Sequence, residues 1–111
     1  MTDTVYLKAG DLAPTLELTL TDGRTGTAVD LSTAESVTLV MTDRTGTVVV
    51  DHGPMTVVDA ATGQIERDWE SGETDTPGIC RAEVEVTWPG DRIQTFPAKG
   101  HITISIDADL G

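Results

Sequence analysis

The C-terminal third of the chain alternates strictly between apolar and polar residues. From Cys80 to Trp88 every second residue is apolar, and the residues between them are Arg81, Glu83, Glu85 and Thr87. This period of two is typical of a β-strand with one buried and one solvated face. RIQTF and HITISI alternate in the same way after the turns PGD and AKG, which predicts an antiparallel meander. The predicted buried face contains Cys80, Val84, Val86, Trp88, Ile102, Ile104 and Ile106.

Shorter alternating segments fill the first two thirds of the chain. Strands are predicted at TVYLK, TLELTL, SVTLVM, TVVV, MTVV and QIERDW, although Arg67 interrupts the apolar row of the last. DHGP, residues 51–54, is predicted to be a turn. Many short strands with frequent turns indicate an all-β sandwich or barrel, and the length fits a single domain over residues 1–111.

Two turn sequences resemble each other. TDGRTGTAVD at 21–30 is similar to TDRTGTVVVD at 42–51, and DAATGQI at 59–65 is a looser copy. A duplicated ligand loop is one interpretation. We favour repeated hairpin turns, in which Asp caps its own turn and Gly takes a positive φ, because the flanking residues do not continue the match.

Charge and composition exclude several functions. Seven Lys and Arg against 19 Asp and Glu give a formal charge of −12, which argues against nucleic acids and anionic membranes and favours a basic partner. The single cysteine excludes an internal disulfide. The N-terminus has no signal-peptide pattern, and no run approaches the roughly 20 apolar residues of a membrane span, so we expect folding in the cytosol.

Reactive side chains form no known catalytic motif. Cys80 belongs to the buried row, while His52 falls in a turn and His101 at a strand start. The acidic stretch 68–78 contains four carboxylates that could bind calcium, Asp68, Glu70, Glu73 and Asp75. Their spacing is not that of an EF-hand, and a solvated loop is the preferred interpretation. We therefore expect no catalytic residues, no metal and no cofactor.

Four blocks of sequence, in order, resemble a known family. They are KAGDLAPTLELTLTDG, VDLSTAESVTLVM, GQIERDWESGETDTPG and RAEVEVTWPGDRIQTFPAKGHITISI, which together cover about residues 7 to 106. The chain resembles the immunoglobulin-like N-terminal domain of phage upper baseplate proteins and other tail-associated virion proteins. Cys80 and His101 stand where that family commonly has an aromatic residue. The resemblance implies an immunoglobulin-like antiparallel β-sandwich of about 7–9 strands.

The same resemblance implies a structural function without enzymatic activity. We expect a bacteriophage virion structural protein, a baseplate, minor tail or decoration module, that binds other virion proteins in multiple copies. It would be localised in the virion after assembly in the host cytoplasm. The exposed row Arg81, Glu83 and Glu85 is the candidate partner face. A carbohydrate- or host-surface-binding module is the alternative, which loses its best support if Trp69 and Trp88 are both buried.

Overall fold

The computed structural model describes residues 4–97 and 100–110. These residues form nine strands: β1 Thr4–Lys8, β2 Leu16–Thr19, β3 Ser36–Thr42, β4 Val48–Pro54, β5 Thr56–Asp59, β6 Gln64–Arg67, β7 Gly78–Trp88, β8 Arg92–Phe96 and β9 Ile102–Asp107. Within the described part of the chain, no helix has the length and apolar character needed to cross a membrane. The AKG turn lies partly outside the described residues.

The strands form a large and a small sheet. The large sheet has the order β1-β9-β7-β3-β4, with β8 also paired to β7, and the small sheet has the order β2-β6-β5. Neighbouring strands are antiparallel, apart from the parallel pair β1 and β9. The prediction of an all-β sandwich with about 7–9 strands is confirmed.

The predicted C-terminal meander is wrong in its pairing. β7 has eleven residues, and β3 pairs along one edge, from Thr42 opposite Arg81 to Ser36 opposite Thr87. The other edge is shared, because β9 pairs with residues 78–82 and β8 with residues 84–88. β7 is long enough for two partners, so β9 pairs with β7 instead of β8.

The core lies between the sheets and contains the side chains predicted from the alternation. Val84, Val86 and Ile104 are completely buried, as is Leu39 of β3, and Cys80, Ile102 and Ile106 are buried beside them. Trp88 differs from the prediction because it is only half-buried. Its indole Nε1 donates a hydrogen bond to Gln94 Oε1 at 2.9 Å, which keeps the polar edge of the ring at the surface.

DHGP is not a turn, because β4 continues through it to Pro54. Between the register pairs Met41–Val50 and Leu39–Gly53, β3 contributes one residue and β4 contributes two, Asp51 and His52. This β-bulge puts His52 in the left-handed region, with a φ of 53°. Sequence patterns do not reveal such a bulge, since it depends on the register with β3.

The hairpin interpretation is confirmed for the first two of the repeated turn sequences. Asp22 Oδ1 accepts a hydrogen bond from the Arg24 N–H, and Asp43 Oδ1 accepts one from the Thr45 hydroxyl and others from backbone N–H groups. These hydrogen bonds lower the pKa of both carboxyls. Gly46 has a φ of 90° in the second turn, which a side chain would strain.

We expect Ile104→Ala to lower the free energy of unfolding by about 2–4 kcal/mol, because the side chain is fully buried. Ile93→Ala is the matched control, since Ile93 is 64% exposed on β8 and should change stability by less than about 0.5 kcal/mol. Denaturant unfolding measures both. Equal losses would contradict the assigned register.

Candidate functional site

A groove of about 480 Å³ opens at one end of the sandwich. It lies between the β3–β4 turn and the crossover segment, residues 68–77, which runs from β6 to the start of β7. We call it the end groove. Its lining residues are Asp43, Arg44, Thr45, Thr47, Val48 and Val49 on the turn side, Gly72, Glu73, Thr76, Pro77, Gly78 and Ile79 on the crossover side, and the buried residues Cys80 and Ile106.

Asp43 holds the turn side of the end groove in shape. Its Oδ1 accepts hydrogen bonds from the N–H groups of Thr45 and Thr47 at 2.9 and 3.0 Å and from the Thr45 hydroxyl at 2.6 Å. The backbone N–H of residue 43 also donates to the Thr47 carbonyl. This wall is therefore set by local hydrogen bonds.

A buried ion pair holds the crossover side. Arg67 is 6% exposed, and its Nη2 lies 2.5 Å from Glu73 Oε2 and 3.4 Å from Glu70 Oε2. Its Nη1 donates to the Pro54 carbonyl at 3.0 Å. Glu73 Oε1 accepts the backbone N–H of Glu70, which closes the loop on itself. Arg67 thus belongs to the inward row that it was predicted to interrupt, because Glu73 neutralises its charge.

Two further contacts fix the crossover segment. Thr74 is completely buried, its hydroxyl donates to the Asp11 carbonyl, and its own carbonyl accepts the Gly10 N–H. Asp68 accepts a hydrogen bond from the Thr15 hydroxyl at 2.8 Å. In the stretch considered for calcium, Asp68, Glu70 and Glu73 therefore bond to other protein groups, and no group of three potential metal ligands that could hold an ion occurs among the described residues.

The rim of the end groove is apolar and exposed. Val48 is 52% and Ile79 is 48% exposed, although both are strand residues. The stem of Arg44 crosses beside Gly78, where a side chain added to the glycine would lie 3.6 Å from Arg44 Cδ. The groove can therefore receive an apolar side chain next to a guanidinium group.

The thiol in the end groove is not arranged for chemistry. Cys80 is buried, and burial, followed by the charge of Asp43, raises the pKa of its thiol. A raised pKa keeps the thiol protonated and weakly nucleophilic at neutral pH. This agrees with its interpretation as a core residue.

The predicted partner face lies on the outer surface of the large sheet. Arg81 and Glu83 are exposed and form no ion pair within the described residues, whereas Glu85 is half-buried. Glu85 Oε1 lies 3.3 Å from Nε2 of His52, and His52 Nδ1 lies 2.6 Å from Asp51 Oδ1. The hydrogen bond to Asp51, together with the charge of Glu85, raises the pKa of His52. Whether this row contacts a partner stays a prediction.

A second hollow, of about 400 Å³, lies on the small sheet and is lined mainly by polar residues, Glu17, Thr19, Gln64 and Glu66 among them. Glu17 stands directly opposite Glu66 in the β2–β6 register. Two carboxylates in opposed positions repel each other and offer no apolar contact. The end groove is therefore the better candidate for a binding site.

The sequence did not predict the end groove, although one residue of its rim gave a signal. Ile79 occupies the polar face of β7 in register with Arg81, Glu83 and Glu85, and an apolar residue at such a position is a signal. Val48 and Arg44 gave no signal, because their place depends on the crossover segment that passes beside them.

Comparison with known proteins supports the fold alone. No protein-family model and no curated protein sequence matches the chain. Among solved structures, the chain is similar to the crystal structure of CopC from Methylosinus trichosporium OB3b, with a TM-score of 0.57 and 13% sequence identity. The match covers 99% of this chain and 89% of that one.

The predicted function in a phage virion is wrong. A solved structure that matches nearly the whole chain, CopC, is not a phage structural protein. Of the two aromatic residues on which the carbohydrate-binding alternative depends, Trp69 is 3% exposed and Trp88 is half-buried against the core. No match tests the family resemblance, the partners or the localisation inferred from it, and these stay predictions.

We expect Glu73→Gln to lower the free energy of unfolding by about 3 kcal/mol, since it leaves the buried Arg67 guanidinium without its main anion. Glu70→Gln is the matched control, because this carboxylate is 75% exposed and should contribute less than about 1 kcal/mol. Denaturant unfolding compares the two. A similar small loss in both variants would show that Glu73 is not the essential partner.

His52 should stabilise the fold more at low pH. Its folded pKa is raised above the ordinary value of 6.5, so its contribution is complete below that value and is lost as the pH rises through the folded pKa. We expect His52→Gln to lower the melting temperature more at about pH 5.5 than at about pH 8.5. NMR titration of the His52 ring should show a lower pKa in Glu85→Gln, and an unchanged value would refute the contact.

Proposed function

We propose that this domain is a non-catalytic protein-binding module, and that the end groove receives a short extended segment of a partner protein. The observation that carries the proposal is the exposure of Val48 and Ile79 on the two sides of a concave, partly apolar site. Exposed apolar side chains around a concavity mark interaction sites, because covering them removes apolar surface from water.

The size of the end groove supports a side-chain ligand. About 480 Å³ accommodates one or two side chains of a peptide, whereas a folded partner would need a wider contact surface. Both walls are fixed before binding, one by the Asp43 turn and the other by the Arg67–Glu73 pair. A preformed site limits the entropy lost on binding.

The free edge of β4 contributes little to this binding mode. β4 is the last strand of the large sheet, so one of its backbone edges has no strand partner in the described chain. However, the register with β3 is interrupted twice within β4. Such bulges oppose the addition of a long strand. Binding should therefore depend on inserted side chains more than on backbone pairing.

The experiment uses a displayed library of random peptides of about seven residues, selected on the wild-type domain. Selected peptides should bind the double variant Val48→Thr, Ile79→Thr about tenfold more weakly, because threonine keeps the β-branched shape but removes apolar contact. Ile93→Thr is the matched control, since Ile93 is also exposed on the same sheet, at 64%, but lies outside the groove.

Affinities are measured by fluorescence anisotropy on the folded variants. Equal binding to wild type and Ile93→Thr is expected. A selection that yields no binder, or binders that do not distinguish the double variant, would refute the proposed function.

A further inference from the structure

Among the described residues of this strongly acidic protein, Arg44 has no anionic partner. The chain has 19 acidic against seven Lys and Arg residues, yet no carboxylate lies within ion-pair distance of Arg44 among residues 4–97 and 100–110. Arg67, by contrast, is neutralised by Glu73, and Arg24 lies 3.7 Å from Asp22. The end groove therefore carries an unpaired guanidinium on its lining.

The two carboxylates of the end groove already have hydrogen-bond donors within the protein. Asp43 accepts hydrogen bonds from its own turn, and Glu73 pairs with Arg67 and accepts the Glu70 N–H. Neither is bonded to Arg44, although Asp43 precedes it in the chain. A basic group entering the groove would compete with these protein donors for the carboxylates and would lie near the like charge of Arg44.

The stem of Arg44 is placed so that its charge can serve a ligand. Its Cδ lies beside Gly78, which has no side chain to displace it, and Gly78 directly precedes the apolar rim residue Ile79. A ligand with an apolar side chain against Ile79 and Val48 would hold an adjacent acidic group within reach of this guanidinium. A guanidinium presents its N–H donors in a planar fork that matches a carboxylate.

We infer that the segment bound in the end groove carries a carboxylate next to an apolar side chain, and that Arg44 receives this carboxylate. The inference rests on the proposed function of the groove and specifies its ligand. It differs from what net charge alone predicts, because a formal charge of −12 favours basic peptides. The charge of Arg44 thus predicts an acidic ligand, whereas the net charge of the protein predicts a basic one. An experiment can therefore distinguish the two predictions.

The probes are three pools of acetylated, amidated peptides of about seven residues, with Glu, Gln or Lys fixed at the centre and Val, Ile, Leu, Thr or Ser elsewhere. We expect the Glu pool to bind the wild-type domain about tenfold more tightly than the Gln pool, and the Lys pool to bind most weakly. Arg44→Gln should abolish the preference for Glu over Gln. Arg92→Gln should keep it, because Arg92 lies on β8, outside the groove.

The outcomes separate the two claims. Binding to wild type but not to the Val48→Thr, Ile79→Thr variant supports the groove function. If, in that case, the Lys pool binds best or Arg44→Gln keeps the preference for Glu, the ligand assignment is wrong while the groove function stands. If no pool distinguishes wild type from that double variant, the groove function itself fails. Melting curves of Arg44→Gln and Arg92→Gln confirm that both variants are folded.

Discussion

The buried pair of Arg67 and Glu73 adds a polar link between parts of the molecule that also share the apolar core. Arg67 ends β6 in the small sheet, Glu73 belongs to the crossover segment, and the Pro54 carbonyl that Arg67 also contacts ends β4 in the large sheet. A guanidinium between two sheets is costly unless an anion and hydrogen-bond acceptors surround it. The crossover segment supplies the anion, and its position is therefore tied to the closure of the sandwich.

The same pair restricts its neighbours. Gly53 is buried where a side chain would lie only 2.7 Å from Arg67 Cζ, so the position needs glycine for space. Two buried N–H donors at this end of the sandwich have no hydrogen-bond partner within the described part of the protein. They are Arg67 Nε and Trp69 Nε1. Polar groups that are buried without partners cost free energy. This end of the sandwich therefore combines a buried ion pair with buried N–H donors that have no acceptor among the described residues, unlike the apolar core around Val84.

The proposed binding function depends on the crossover segment that this ion pair holds in place. The crossover segment is one wall of the end groove, so an interaction that closes the sandwich also shapes the binding site. Arg67 and Arg44 illustrate two uses of the same side chain. Arg67 is buried and paired, whereas Arg44 is exposed and has no carboxylate within ion-pair distance among the described residues. The difference is made entirely by which carboxylates the tertiary fold brings near each guanidinium.

The alternation of apolar and polar residues predicted most of the strands and the buried faces of β7 and β9, and the Asp and Gly residues predicted the turns at Asp22 and Asp43. These features depend on neighbours along the chain, since strand faces follow a period of two and an Asp caps the turn that contains it. Sequence could not predict the shared edge of β7, the bulge at His52 or the burial of Arg67. Each of these depends on a residue distant in sequence, and the end groove likewise exists only where the crossover segment meets the β3–β4 turn.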